Sequence, residues 1–139
     1  MRLSAILLAL GLLPAPAFAE SIVVQCAESR PDSSRTVVCG TPGTVTFRSD
    51  GPEVEYFARV TAPATHCSPV HYNLFHPGTP GSVAGTGKLQ PGQFENVSIG
   101  RGYAAGVNQL DIQATGWIEG CNVGAIHSWG VDVVVEPVP

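Results

Sequence analysis

The chain is short of the residues that favour helices and of those that hold nucleic acid. Beyond Ala19, leucine occurs three times against 17 valines, Lys88 is the one lysine, and the single methionine is Met1. β-Branched side chains lose rotamer freedom in a helix and pack well on a pleated surface, so this bias predicts strands. Phosphate backbones and anionic membrane surfaces call for a clustered basic face. The five remaining arginines, Arg30, Arg35, Arg48, Arg59 and Arg101, are scattered, which argues against both partners. The near-absence of methionine removes the thioether ligands that suit copper. The one long apolar run, residues 3–13, has eleven residues where a membrane-spanning helix needs about 20.

That run, with Arg2 before it and Ala17, Phe18, Ala19 after it, has the three parts of a secretory signal. The sequence therefore predicts a signal peptide over residues 1–19 and one domain over residues 20–139, released to the periplasm or the medium without membrane insertion. The nearest cysteine to the expected cleavage site is Cys26, so a lipid-anchored N-terminus is not expected. The 120 residues left are enough for one core that buries roughly two thirds of the unfolded surface. Six basic against eleven acidic residues give this part a net charge of −5.

Four cysteines in an exported chain, Cys26, Cys39, Cys67 and Cys121, predict two disulfides. Of three connectivities, Cys26 with Cys39 is favoured, because turn-forming residues between Arg30 and Ser34 would bring one strand back beside the other. Cys67 then pairs with Cys121. Thiolate metal ligation is the rival, but the spacings of 13, 28 and 54 hold no CxxC pair.

Alternation bounded by Gly, Pro and Asp predicts about eight strands: residues 22–26, 35–39, 44–48, 53–61, 70–76, 93–99, 108–118 and 126–136. No substantial helix is expected, since Gly and Pro interrupt every window of helical length. The expected fold is all-β, a single antiparallel β-sandwich, either immunoglobulin-like or jelly-roll, with a closed barrel as the alternative. Period two assigns the faces. Val54, Tyr56, Ala58 and Val60 point inward, as do Leu110, Ile112, Ala114 and Ile118. Trp129, Val131, Val133 and Val135 are core on the last strand, with His127 on the same parity. Asp111, Gln113, Thr115 and Trp117 point outward, and Phe57 and Phe75 do the same.

Catalytic signals are thin. There is no GxSxG elbow, and Ser128 beside His127 points to the opposite face of its strand, so no local relay forms. The acid pairs Asp111 with Asp132 and Glu53 with Glu55 could serve a hydrolase, but outward acids are usually just solvated. His66, His71 and His76 recur at spacing five, which alternates faces on a strand, so no metal site or cofactor is expected. The turn at Asp50 lacks a calcium-loop pattern, and Asn96, Val97, Ser98 matches a glycosylation acceptor.

An outward aromatic beside hydrogen-bonding side chains suits a sugar, whose ring has an apolar face and a hydroxyl rim. Trp117 with Asp111, Gln113 and Thr115 meets that description, unless the face is covered and Trp117 is core. The expectation is a non-catalytic binding module for a protein or carbohydrate partner. The alternative is a small secreted hydrolase or metal-binding protein using His127, Asp132 and the His71 region.

Overall fold

The computed structural model describes residues 20–26, 35–40, 43–122 and 128–139. Within them lie nine strands and no helix: β1 Glu20–Gln25, β2 Thr36–Cys39, β3 Thr44–Ser49, β4 Tyr56–Thr61, β5 Val70–Phe75, β6 Ser82–Gly85, β7 Phe94–Gly100, β8 Gly106–Trp117 and β9 Ser128–Pro137. They form two antiparallel sheets. One is four-stranded in the order β1-β9-β4-β7, and the other is five-stranded in the order β2-β8-β5-β6, with β3 pairing the first half of β8. Pairing is nested along the chain: β5 with β6, β4 with β7, β3 with β8, β1 with β9. That is one long hairpin rolled on itself, so the sandwich is of jelly-roll rather than immunoglobulin-like connectivity.

Two expectations about strand limits are corrected. The strand expected from Glu53 starts at Tyr56, because Val54 N–H donates to Gly51 O (3.2 Å) and is held in the preceding turn. Strand β6 was not expected at all: Ser82–Gly85 is four residues long, has no alternation, and is a strand because β5 offers it a ladder.

Both disulfides pair as expected, Cys26–Cys39 and Cys67–Cys121. The first bond does not join neighbours in one sheet as expected. Cys26 follows β1 and Cys39 ends β2, strands of different sheets, so the bond staples one sheet to the other. The turn at Arg30–Ser34 falls outside the described residues. Closing loops of these lengths contributes on the order of 3–4 kcal/mol each by restricting the unfolded chain.

The inward parities hold on the strands that matter. Tyr56, Ala58, Val60, Leu110, Ile112, Ala114, Ile118, Trp129, Val131 and Val133 are all buried, and Val135 packs against them. His127 lies outside the described residues. At one end of the core Phe47, Tyr56 and Tyr103 cluster at centroid distances of 5.0–6.1 Å, Tyr103 edge to face with both others. Towards the other, Trp129 of β9 lies against Gly116 of β8, and a Cβ on Gly116 would fall inside the indole. The Trp129 Nε1–H has no hydrogen-bond partner among the described residues, so this contact between the sheets rests on close packing.

Gly116→Ala should therefore lower unfolding stability by about 1–3 kcal/mol through overpacking, and Trp129→Ala by about 3–5 kcal/mol through lost contacts and a cavity. Urea denaturation with intact disulfides measures both. An unchanged midpoint for Gly116→Ala would show that the sheets are not held at this contact.

Candidate functional site

Strand β8 presents its outward side chains, Asp111, Gln113, Thr115 and Trp117, on the outer face of the five-stranded sheet, each half-buried. Register then sets their neighbours. On β5, His71 stands opposite Thr115, Asn73 opposite Gln113 and Phe75 opposite Asp111. On the other side of β8, Thr36 stands opposite Trp117, Val38 opposite Thr115 and Thr44 opposite Asp111. The face is thus ruled into transverse rows about 6.8 Å apart, two residues of strand rise. Asn73 and His71 side chains touch at 3.4 Å (Nδ2 to Nε2). Between the Gln113 and Asp111 rows lies an open depression of about 320 Å³, bordered by Gly40, Phe75, Thr79, Pro80, Asp111 and Gln113.

Trp117 is outward as expected, but its ring is not bare. Lys88 Nζ stands 4.5 Å above the ring centroid and pairs with Glu119 Oε1 at 3.6 Å. The backbone explains its place: Leu89 exchanges both hydrogen bonds with Val70 (2.8 and 3.0 Å), which brings Lys88 beside the Trp117 row. His71 meets the same indole edge-on at 6.0 Å. An exposed cation–π contact of this kind is worth about 0.5–1 kcal/mol.

The outward aromatics do not form one patch, nor a second buried layer. Phe75 and Trp117 share the five-stranded sheet, while Phe57 is outward on the four-stranded one. That second face holds Arg59 over the Phe94 ring at 4.8 Å, with Arg59 Nε donating to Asn96 Oδ1 (3.2 Å).

The described residues of the hydrolase or metal alternative are dispersed, and His127 lies outside them. His71 and Asp132 lie on the outer faces of opposite sheets, as do Asp111 and Asp132. Glu55 accepts from Arg101 Nη2 at 2.9 Å. His66 sits on the loop after β4, and His76 follows β5 against Tyr103. Among the described residues no three His, Cys, Asp or Glu side chains gather as metal ligands. No described helix is long and apolar enough to cross a membrane.

One titratable group is built into the frame. Strand β4 stops at Thr61, short of Gly130 on β9, and side chains take over its hydrogen bonds: Gly130 N–H donates to His66 Nε2 (3.2 Å) and Tyr72 Oη donates to Gly130 O (2.6 Å). Burial holds the His66 imidazole below its ordinary 6.5, with Asp132 opposing the shift. Burial first, then Asp132, keeps the Tyr72 hydroxyl protonated far above the usual phenol range.

The sequence pointed to the β8 residues; the rows were invisible to it. Asn73 and Gln113 are 40 positions apart, and their adjacency depends on the β5–β8 register, for which a single sequence carries no signal.

No family model matches the chain, and no curated protein matches it. Among solved structures, one titled "CBM4 structure and function" is similar, at 15% identity over 85% of this chain and 94% of that chain, with a TM-score of 0.35.

Because His66 is an acceptor only when neutral, its lowered pKa means that the unfolded chain binds a proton more readily than the fold does. The His66 contribution to stability is then complete above pH 6.5 and falls as pH drops below that value towards the folded pKa. Melts between pH 7.5 and 5 should show this decline, and His66→Gln should flatten it. A decline of equal slope in the variant would assign it to other groups.

Proposed function

We propose that the chain is an exported, non-catalytic binding module, its domain following a cleaved signal at residues 1–19, that holds carbohydrate on the outer face of its five-stranded sheet. The observation that carries this reading is the set of adjacent rows, His71 with Thr115, Asn73 with Gln113, and Phe75 with Asp111, with a solvent-open depression bordered by Gln113, Asp111 and Phe75. Amides offer donor and acceptor atoms side by side, matching vicinal hydroxyls that both give and take hydrogen bonds. A carboxylate accepts from two such hydroxyls, and an aromatic wall takes the apolar face of the ring. Half-burial fixes these side chains without removing them from water, which lowers the ordering cost that a sugar would otherwise impose.

A carbohydrate suits this face better than a protein. Protein interfaces centre on large anchors in dry pockets. Here the middle of the face is amide and glycine, and the large exposed apolar side chains on it, Val38 and Val107, stand apart near its margins. Trp117 and Thr115 lie on the same face beyond the depression, with the Trp117 ring under Lys88.

The test is electrophoresis through gels containing soluble β-glucan, xylan, mannan or starch. Retardation of the wild type in at least one of them is expected. A double variant, Asp111→Ala with Gln113→Ala, should keep the wild-type melting temperature, because both side chains face outward, and should lose the retardation. Equal retardation of both proteins would contradict the assignment.

A further inference from the structure

Resting on that reading, we infer that the ligand crosses the strands instead of running along β8, in a trough floored by Gly40, Gln113, Asn73 and Gly85, and that it is a neutral, linear polysaccharide segment. The register places these four residues in one transverse row: Cys39 pairs with Ala114, which sets Gly40 beside Gln113, and Asn73 pairs with both Gln113 and Gly85. Two amides thus lie between two glycines, over three strand spacings or about 14 Å.

Neither glycine is needed for its backbone. Gly40 and Gly85 are not among the positive-φ glycines, so side chains are permitted there as far as conformation goes. A Cβ on Gly40 would make ordinary contact with Gln113 Cγ at 3.7 Å, and one on Gly85 would press on the Asn73 side-chain oxygen. Gly40 leaves open space beside the Gln113 amide, whereas at Gly85 the Asn73 side chain itself takes the room a Cβ would need; both glycines are exposed.

The adjoining rows flank it on both sides. On one side are Val38, Thr115 and His71; on the other are Asp111 and Phe75, with Thr79 and Pro80 at the rim of the depression. A ligand lying along β8 from Gln113 to Trp117 would have to cross the Val38 row, 55% exposed at the valine, and then displace Lys88. A transverse ligand meets neither obstacle and reaches both amides, the Asp111 carboxylate and the Phe75 ring.

Charge selects among sugars. One flanking row carries the Asp111 carboxylate, and the nearest lysine, Lys88, is engaged by Glu119 beyond the opposite row. Polyuronates and sulfated chains would meet uncompensated like charge, so the trough suits an uncharged chain.

The experiment compares wild type with Gly40→Leu, Gly85→Leu, Gly40→Ala and Trp117→Ala in gels containing the same four neutral polysaccharides and, in addition, polygalacturonate, each protein checked by thermal melt. Gly40→Leu, by filling the trough at one end, and Gly85→Leu, by displacing the Asn73 amide at the other, should each weaken binding at least about tenfold, and Gly40→Ala clearly less. Trp117→Ala should stay within about threefold of the wild type, and polygalacturonate should not retard it. Tenfold loss in Trp117→Ala, or unchanged binding by both folded leucine variants, overturns the transverse path while leaving the face assigned to carbohydrate. Retardation by polygalacturonate alone overturns the neutral ligand, and no retardation of the wild type in any gel overturns the carbohydrate reading itself.

Discussion

The contact between Trp129 and Gly116 sets the distance between the two sheets. A large indole on β9 needs a place on β8 where no side chain projects, and Gly116 provides it. The same residue of β8 pairs with Val70 on one side and Val37 on the other, so the position that admits the indole also fixes two strand registers. Because side chains alternate with a period of two, fixing Gly116 inward sends Asp111, Gln113, Thr115 and Trp117 outward together. Packing inside the sandwich thereby determines what chemistry is offered outside it.

The frame around that contact is unusually dependent on side chains. Where β4 ends, His66 and Tyr72 satisfy the backbone groups of Gly130 that a longer strand would have paired, and Tyr72 reaches there from the opposite sheet. The Cys26–Cys39 disulfide joins the sheets a second time near β1 and β2. Tyr72 also lies between His71 and Asn73 on β5, so its anchoring to Gly130 steadies the two outward side chains beside it. The outer face of the five-stranded sheet is therefore held from behind by a buried hydroxyl and from the side by the β8 ladder.

Much of this frame was legible in the sequence because it depends on local pattern. Alternation of Tyr56, Ala58 and Val60 against Phe57 and Arg59 assigned faces correctly, and the valine excess with sparse leucine identified a β fold. The short β6 escaped notice because Ser82–Gly85 has no pattern of its own and takes its structure from β5. The site was legible as one strand of residues and not as a surface. Gly40, Asn73, Gly85 and Gln113 come from four segments, and glycine in a loop-rich chain reads as a turn former until register shows it beside an amide. The Lys88 cap on Trp117 was hidden for the same reason, since it depends on the Leu89–Val70 pairing.

We propose that the outer face of the five-stranded sheet holds the ligand. The most direct measurement is a two-dimensional amide NMR titration with oligosaccharides cut from whichever neutral polysaccharide retards the protein. Shifts should concentrate at Gly40, His71, Asn73, Gly85, Asp111 and Gln113 and leave Arg59, Asn96 and Val134 unmoved. Shifts centred on Phe57, Arg59, Phe94 and Val134 would place the site on the opposite sheet and contradict the account.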